Sequence, residues 1–408
     1  MGGQAFVLCT ALSGVTIPSN LTTIPTSAFE DCTALTGLTL SNGVTTLAAT
    51  AFRRCTALTA VTIPASVTSI ATDSFSRCYA LASITVDSAN PNYSSAGGVL
   101  FNKTQTTLWS CPAGYPGAYA VPSGVTSIGA SAFRFSSALT SVSIPSGVTS
   151  IGTDAFGSCS VLTAITVDAT NLTFSSVAGV LFNKAKTTLI AYPTGLAGAY
   201  TIPTGVVIIG SAAFRSSVAL TAVTIPAGVT TINNNAFATC GQLVNATFMG
   251  NAPATFGSLV FQAAAASFKV YYQTGASGFT SPTWNGYPSI QITAISTWLG
   301  NYGLPLDADL KSDSNGDGVS LLMAYALNLN PNQNLSTSTP QPVFSPTQMS
   351  LSFYSGTPGI TYSVQASADL KIWSSSGVTL SAPDGNQVRT ATVDRSGSLR
   401  FMRLAVSY

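Results

Sequence analysis

The chain has 408 residues, of which 46% are hydrophobic and 7% are charged, and its formal net charge is +2. This composition supports a large core and excludes a disordered chain, while the small net charge excludes the clustered basic surface that nucleic-acid binding requires. No apolar run approaches the roughly 18 to 20 residues of a membrane-spanning helix. We therefore expect a folded protein with no nucleic-acid partner and no membrane span.

The first residues do not look like the start of a domain. The segment from Met1 to Phe6 matches the segment from Ile128 to Phe133 in register, and it lacks the features of a signal peptide. We expect that a natural N-terminal region, with the first cap and any export signal, precedes this sequence.

A short unit recurs along the chain, every 23 residues where the repeat is regular and at longer intervals elsewhere. Six of the seven cysteines stand three residues after a phenylalanine, in the pairs Phe6/Cys9, Phe29/Cys32, Phe52/Cys55, Phe75/Cys78, Phe156/Cys159 and Phe237/Cys240. A fixed period of this length is typical of leucine-rich repeat solenoids, in which each coil buries its apolar face on its neighbours. A longer period overlies the short one, since Leu81, Leu162 and Leu243 hold equivalent positions at equal intervals.

Each unit begins with a short strand. In the segment Val61-Thr62-Ile63-Pro64 the apolar residues alternate with threonine, which predicts a strand with one buried face, and the proline ends it because it has no N–H to donate. Equivalent strands carry a hydroxyl residue outward, and we expect these residues to form a hydroxyl ladder on an exposed parallel sheet. They are Thr16, Thr39, Thr62, Thr85, Ser143, Thr166, Thr224 and Thr247.

Two insertions interrupt the short period, at residues 98–109 and 179–190. In each, apolar segments flank a polar turn that begins with Asn-Lys, which predicts a β-hairpin that projects from the stack. Projecting loops often carry function. Lys103, Lys184 and Lys186 are therefore candidate contact residues.

These motifs resemble the BspA-like leucine-rich repeat proteins over residues 1 to about 292. The segments from Val125 to Phe133 and from Val148 to Phe156, and the hairpin from Gly98 to Trp109, carry the resemblance. It implies a bacterial or parasite protein, secreted or at the cell surface, that acts as an adhesin toward an extracellular protein or glycan. It implies no catalytic residue.

The cysteine ladder has two interpretations. Thiols in identical register lie side by side on neighbouring coils, where they serve buried backbone groups; disulfides or metal binding are the alternative. Cys111, beside Pro112, falls outside the ladder and is interpreted as an incidental thiol.

A basic stripe follows the longer period. Arg53, Arg134 and Arg215 recur at that interval, opposite few acids. The stripe is either solvated charge that limits lateral sheet contacts or a contact surface for an acidic protein or an anionic glycan.

Residues 251–292 break the period and become aromatic. The first interpretation is a C-terminal cap, because a solenoid must shield its last apolar face. The alternative is a carbohydrate platform formed by Tyr271, Tyr272 and Trp284.

Asp313, Asn315 and Asp317 follow the D-x-N-x-D-G start of a calcium loop. Its twelfth position, where a bidentate carboxylate belongs, is Ala324. The sequence leaves two interpretations open, a weak Ca²⁺ site or a turn that caps a helix from Leu321 to Leu329. The surrounding segment, 295–332, resembles a degenerate dockerin-like element of secreted proteins from environmental bacteria.

A linker at residues 333–346 leads to a last segment of alternating strands, which predicts a small β-sandwich at residues 347–408. The segment resembles a terminal module of the same secreted proteins. The predicted strands are Met349–Phe353, Tyr362–Ala366, Val388–Val393 and Arg400–Leu404.

The chain has no histidine, so the usual general base near neutral pH is absent. Asp87 and Asp168 are one position repeated at the longer period, and we interpret them as turn-capping residues. We predict a non-catalytic interaction protein without a cofactor, apart from weak Ca²⁺. The alternatives are a structural spacer or matrix component, and a flat hydroxyl array that recognises an ordered surface such as ice or crystalline polysaccharide.

The predicted fold is mostly β. It comprises a leucine-rich repeat solenoid at residues 1–250, with 23-residue coils, a parallel sheet and two inserted β-hairpins, its cap at 251–292, a short helical segment, and the β-sandwich. The identity of the ligand and the oligomeric state do not follow from the sequence.

Overall fold

A computed structural model describes residues 2–395 and 401–408. The chain divides into two compact units, Met1–Ile290 and Gln291–Tyr408. Met1, at the start of the predicted N-terminal match, and Arg400, at the start of the last predicted strand, lie outside the described residues.

The first unit consists of short strands joined by turns. They are β1 (Gly14–Ile17), β2 (Thr23–Ile24), β3 (Gly37–Leu40), β4 (Thr46–Leu47), β5 (Ala60–Ile63), β6 (Ser69–Ile70), β7 (Ser83–Val86), β8 (Tyr93–Ala96), β9 (Val99–Asn102), β10 (Thr107–Ser110), β11 (Gly117–Ala120), β12 (Ser127–Ile128), β13 (Leu139–Ile144), β14 (Ser150–Ile151), β15 (Ala164–Val167), β16 (Phe174–Val177), β17 (Val180–Asn183), β18 (Thr188–Ala191), β19 (Gly198–Thr201), β20 (Ile208–Ile209), β21 (Leu220–Ile225), β22 (Thr231–Ile232), β23 (Asn245–Phe248), β24 (Thr255–Phe256), β25 (Lys269–Gln273), β26 (Thr283–Trp284) and β27 (Tyr287–Ile292).

Each regular coil has three sides. The first is a longer strand such as β5, which pairs in parallel with β7 and places Val61 opposite Ile84. The second is a two-residue strand such as β4, which pairs in parallel with β6. The third side is a run of turns, joined between coils by backbone bonds such as Phe29 N to Ala51 O at 2.8 Å. The predicted solenoid of 23-residue coils is thus confirmed.

Phenylalanine and cysteine fill the core behind the third side. The rings of Phe29, Phe52 and Phe75 stack with centroids 5.3 Å apart. Five of the six ladder thiols donate to the phenylalanine carbonyl of the preceding coil, as Cys55 Sγ does to Phe29 O at 3.2 Å. The predicted role of the thiols, serving buried backbone groups, is confirmed. The other thiol donors with this geometry are Cys32, Cys78, Cys159 and Cys240.

The inserted hairpins do not project, so that part of the prediction is wrong. β9 pairs antiparallel with β8 and β10, and β10 pairs in parallel with β12, so the first hairpin becomes part of the second side of the solenoid. Val99 and Phe101 are completely buried. These side chains lie in the core because they are apolar, and a hairpin that projected from the stack would expose them to water.

The insertions also interrupt the sheet on the first side. Gly98 O accepts a hydrogen bond from Ile84 N at 2.8 Å, and Gly179 O accepts one from Ile165 N at the same distance. Gly98 has φ +81°, and a Cβ there would meet the Ser83 Cβ at 3.0 Å. The hairpin therefore occupies the free edge of β7, and a new sheet, β11-β13-β15, begins after it.

The solenoid ladder continues beyond residue 250, since β25 pairs in parallel with β23. The aromatic residues that follow are buried. Tyr271 and Tyr272 are each 7% exposed and Trp284 is 6% exposed, and the Trp284 ring lies 5.5 Å from the Phe248 ring of the last regular coil. The alternative interpretation, a carbohydrate platform, is wrong because all three side chains are buried.

The second unit contains two short helices and two antiparallel sheets around a core that includes Leu351, Phe353 and Val364. The sheets have the orders β28-β29-β32-β31 and β30-β33. β28 lies within the predicted linker. The elements are α1 (Ala294–Asn301), α2 (Leu321–Ala326), β28 (Val343–Phe344), β29 (Gln348–Tyr354), β30 (Thr361–Ser367), β31 (Val378–Leu380), β32 (Val388–Asp394) and β33 (Phe401–Ser407).

Candidate functional site

The predicted hydroxyl residues lie on the outer face of the first-side strands. Those from Thr16 to Thr166 are exposed, whereas Thr224 and Thr247 are half-buried. They form separate pairs and not one ladder, because the sheet is divided. The pairs in register are Thr16 with Thr39, Thr62 with Thr85, Ser143 with Thr166, and Thr224 with Thr247.

These strand hydroxyls differ from other threonine hydroxyls of the coil. Threonines that flank the strands donate to a carbonyl one coil earlier, as Thr45 Oγ1 does to Thr22 O at 3.0 Å and Thr163 Oγ1 does to Thr140 O at 3.3 Å. Among the eight predicted residues, in the part of the chain that the structure describes, only the Thr166 hydroxyl makes such a bond, at 3.4 Å to Val142 O. The sheet-face hydroxyls are therefore available to a ligand.

One sheet-face hydroxyl was missed by the sequence analysis. Thr201 lies on β19 opposite Thr224 and is exposed. Its spacing to Thr224, which equals one regular coil, was the available signal. The strand follows an insertion and so lacks a complete repeat unit before it.

Two of the hairpin lysines bind the backbone of the turn that precedes their hairpin. Lys103 Nζ donates to Ser88 O at 2.8 Å, and Lys184 Nζ donates to Ala169 O at 3.1 Å. Lys186 is exposed at the turn, with φ +59°. The structure thus assigns a structural role to the first two lysines, and contact with a partner stays a prediction for all three.

The repeated aspartates cap turns, as predicted. Asp87 Oδ1 accepts from Ala89 N at 2.9 Å, and Asp168 Oδ1 accepts from Thr170 N at 2.8 Å. The Thr170 hydroxyl also donates to Asp168 and is the main cause that lowers the pKa of that carboxyl. These bonds explain why aspartate occupies both positions.

The Asp313 loop is organised by its own backbone. Asp313 accepts from Gly316 N at 2.8 Å and from Gly318 N at 2.7 Å, and Asp317 accepts from Leu335 N at 2.6 Å. The Leu335 N–H is the first cause that lowers the pKa of Asp317. Within the described ranges, no group of three or more His, Cys, Asp or Glu side chains forms a metal site.

Asn315, the third predicted calcium ligand, donates from Nδ2 to Gln333 O at 2.6 Å. The helix after the loop ends at Ala326, and its N-cap is Ser320, whose hydroxyl accepts from Met323 N. The helix thus begins at Leu321, as that interpretation has it, but it ends at Ala326 and not at Leu329, and Ser320 is its cap. Calcium binding at Asp313, Asn315 and Asp317 stays a prediction.

The basic stripe is not opposite few acids, which corrects the prediction. Arg53 forms an ion pair with Glu30 at 3.1 Å, and Asp154 Oδ2 lies 3.0 Å from both Arg134 and Arg215. Burial raises the pKa of Asp154, although both arginines act in the opposite direction. All three repeated arginines thus form ion pairs with acidic residues of the solenoid itself.

The ladder thiols are unsuited to nucleophilic chemistry. Burial raises the pKa of Cys32 to about 11 and that of Cys159 to about 12. The thiolate is the reactive form, and the raised pKa values keep these two cysteines protonated near neutral pH.

In the described residues, no helix is both long and apolar enough to cross a bilayer.

Comparison with solved structures finds several bacterial leucine-rich repeat proteins. A leucine-rich repeat protein from Eubacterium ventriosum is 23% identical, with a TM-score of 0.44, over 65% of this chain and 67% of that one. The pneumococcal vaccine antigen PcpA is 20% identical, with a TM-score of 0.42, over 65% and 63%. A leucine-rich cell surface protein from Faecalibacterium prausnitzii is 26% identical, with a TM-score of 0.44, over 70% and 71%.

No curated protein matches the chain. The model of the BspA type leucine rich repeat region matches six copies, over residues 1–111, 118–197 and 196–275. This match covers more than half of the sequence and coincides with the solenoid. The chain belongs to the family of BspA-type leucine-rich repeat proteins.

Proposed function

We propose that this chain is a non-catalytic interaction module of a bacterial protein, secreted or at the cell surface, whose sheet face binds an extracellular protein or glycan. One observation carries the proposal. Strand hydroxyls such as Thr62 and Thr85 are exposed, whereas threonines elsewhere in the coil bond to neighbouring carbonyls.

The spacing of these hydroxyls suits recognition by hydrogen bonds. Paired strands lie about 4.8 Å apart, so residues in register, such as Thr62 and Thr85, repeat at that interval. Each hydroxyl offers one donor and two acceptor lone pairs. A partner rich in hydroxyl or amide groups would fit this surface better than a highly charged one.

Family membership supports an interaction role, because solenoids present extended surfaces suited to large ligands. The sequence has no histidine, and burial raises the pKa of ladder thiols such as Cys32 and Cys159. The alternative is a spacer or matrix role, in which the chain has no specific ligand. A binding assay distinguishes this role from the proposed interaction role.

The test measures binding of the purified full chain to immobilised extracellular-matrix proteins and polysaccharides. The variant Thr62→Lys/Thr85→Lys/Thr166→Lys changes the sheet face, with two lysines in register and one apart. Its matched control, Ser69→Lys/Ser127→Lys/Ser150→Lys, adds the same charge on second-side strands, with Ser127 and Ser150 in register.

We expect saturable binding that the sheet-face variant loses and the control retains. Both variants should keep the wild-type melting temperature, because the changed side chains point away from the core. Equal loss in both variants would indicate an effect of charge alone. Folded protein that binds nothing and self-associates would contradict the proposal and favour the matrix role.

A further inference from the structure

The first insertion leaves a recess on the third side of the solenoid. Cys111 holds the register position of the ladder phenylalanines, since its N–H donates to Ala132 O at 2.7 Å, as Phe29 N does to Ala51 O. Pro112 and Ala113 then take the place of the larger residues that follow phenylalanine in the flanking coils, such as Arg77 before the insertion and Arg134 and Phe135 after it. The side chains of the coils before and after the insertion therefore face each other across a gap.

The recess has two connected parts that share Arg77 and Phe135. One is a cavity of about 180 Å³, which Arg53, Asp73 and Arg134 also line. The other is an open groove of about 490 Å³, lined also by Tyr79, Val218 and several serines. The groove has the size of a small-molecule site.

Arg77 is the central residue of this recess. Its guanidinium carbon lies 4.5 Å from the centroid of the Phe135 ring, and Arg134 lies 4.6 Å from the same centroid. A cation over an aromatic face is held in place by the ring quadrupole. The guanidinium of Arg77 is thus positioned before any ligand arrives.

Arg77 also differs from the other arginines of the first unit in its partners. Among the described residues, Arg53, Arg54, Arg134 and Arg215 each form an ion pair with an acid, whereas Arg77 forms none. Its Nε is buried without a hydrogen-bond partner. A guanidinium with unused donors matches carboxylate, sulfate or phosphate oxygens.

The rest of the groove offers the groups that recognise a sugar. The Tyr79 side chain is a large exposed aromatic, at 44%, and such rings stack on the apolar face of a pyranose. Ser137, Ser158 and Ser160 line the same groove. Ser137 and Ser158 donate within the protein, to Ala113 O at 3.5 Å and to Ser216 Oγ at 3.0 Å, but all three hydroxyls keep lone pairs that can accept from sugar hydroxyls.

The second insertion has different residues at the corresponding positions. At the positions equivalent to Arg77 and Phe135, one long period later, stand Ser158 and Ser216, whose hydroxyls lie 3.0 Å apart. Asp154 and Arg215 form an ion pair across the same gap. The second copy thus bridges its flanking coils with its own polar contacts, and among the described residues only the first copy keeps an arginine without an ion pair there.

We propose that the recess around Arg77 binds a short acidic saccharide. Arg77 holds its carboxylate or sulfate group, Tyr79 stacks on a sugar ring, and the groove serines bind its hydroxyls. This site lies on the third side of the solenoid, and so it is separate from the hydroxyl face of the first-side strands.

The test is calorimetric titration of the full chain with trigalacturonate. Its methyl ester serves as the uncharged control, and a sulfated disaccharide tests whether sulfate replaces the carboxylate. The variants are Arg77→Gln and Tyr79→Ala. Arg54→Gln is the matched control, because it removes one positive charge from an arginine that lies outside the recess.

We expect Arg77→Gln to weaken trigalacturonate binding at least tenfold and Tyr79→Ala to weaken it several-fold, with Arg54→Gln within twofold of wild type. The methyl ester should bind at least tenfold more weakly. The same pattern with the sulfated disaccharide would also support the site and would name sulfate as its anion.

Three results would overturn the proposal: no saturable heat with either acidic probe, wild-type affinity in a folded Arg77→Gln variant, or equal loss in the Arg54→Gln control. The sheet-face triple lysine variant should bind trigalacturonate with wild-type affinity. That result keeps this site distinguishable from the proposed hydroxyl face.

Discussion

The two inserted coils have the same topology but different third sides. In both, a hairpin joins the second-side sheet and its glycine carbonyl bonds to the preceding strand. The first coil then has Cys111 behind Arg77 and Phe135, whereas the second has Tyr192 behind Ser158 and Ser216. Strand pairing constrains the first two sides of each coil. The third side of an inserted coil has fewer such constraints, so the two copies differ there.

The difference extends into the core. After the second insertion, Tyr192 stacks on the ladder residue Phe214 at 4.8 Å. After the first insertion, Cys111 holds the equivalent place and offers no ring to Phe133. Both phenylalanines also contact a tyrosine of the next strand, Tyr119 at 5.8 Å and Tyr200 at 5.9 Å. The two copies thus differ in whether a ring stacks on the first ladder phenylalanine after the insertion.

The largest expected effect tests this contrast in the aromatic ladder. Phe133→Ala and Phe214→Ala each remove a completely buried ring, and we expect each to lower the free energy of unfolding by roughly 3 to 5 kcal/mol. Phe214→Ala should cost more, because it also loses the stack on Tyr192, worth about 0.5 to 1.5 kcal/mol. Urea unfolding measures both.

Leu172→Ala is the control for this pair of variants. Its side chain is 86% exposed, so the change should stay within about 0.5 kcal/mol of wild type. Unchanged unfolding of Phe133→Ala would refute the assigned repeat register. Equal losses at the two phenylalanines would show that the ring of Tyr192 adds no stability.

A smaller effect separates coils that follow a complete coil from those that follow an insertion. Cys240 donates to Phe214 O at 3.1 Å, and we expect Cys240→Ala to cost about 0.5 to 1.5 kcal/mol because that carbonyl then keeps only its bond from Ser217 N, at 3.0 Å. Ser217 holds the same repeat position after the insertion, and its buried hydroxyl has no partner among the described residues.

Ser217→Ala should therefore be neutral or slightly stabilising, since it removes a buried polar group that makes no hydrogen bond. Thermal and urea unfolding of the two alanine variants give the comparison directly. A larger loss for Ser217→Ala than for Cys240→Ala would contradict the inference that the cysteine, and not the serine, makes a stabilising hydrogen bond at this repeat position.

The smallest expected effect concerns the two ion pairs of Asp154, with Arg134 and with Arg215. Burial raises the pKa of Asp154 above its value in the unfolded chain, despite Arg134 and Arg215. The folded protein then holds the proton more tightly, so the stability that this carboxyl contributes rises as the pH falls through its folded pKa. Relative to Asp154→Asn, wild type should gain stability between neutral pH and about pH 4, by about 1 kcal/mol or less.

Urea unfolding of both proteins at several pH values measures this gain. If wild type instead loses stability relative to Asp154→Asn on acidification, the attraction of the two arginines outweighs the burial of the carboxylate. The two ion pairs of Asp154 would then stabilise the folded protein mainly through charge.

Much of the solenoid followed from the sequence. The alternation around Thr62, the stop at Pro64 and the regular spacing of phenylalanine and cysteine depend on local geometry and on contacts between identical neighbours. Both kinds of information repeat along the chain, so each copy supports the next. The outward hydroxyl residue of the strand that follows the second insertion, Thr201, was missed because no complete unit marks that strand.

The candidate sites were harder to predict. The outward direction of the sheet-face residues follows from strand alternation, but the breaks after Thr85 and Thr166 depend on where Gly98 and Gly179 meet the sheet. The ion pair of Arg134 and the position of Arg77 over Phe135 depend on residues that are distant in the chain. No local pattern contains that information.

The sequence by itself determined the repeat, the solenoid and the positions of the phenylalanine and cysteine ladders, because a periodic pattern of buried and exposed residues has one economical way to stack. Only the tertiary structure decided that the hairpins enter the core, that Tyr271, Tyr272 and Trp284 are buried, and that Arg77, among the described residues, forms no ion pair. These outcomes depend on which coils meet across an insertion, and that meeting is set by packing in three dimensions and not by the period.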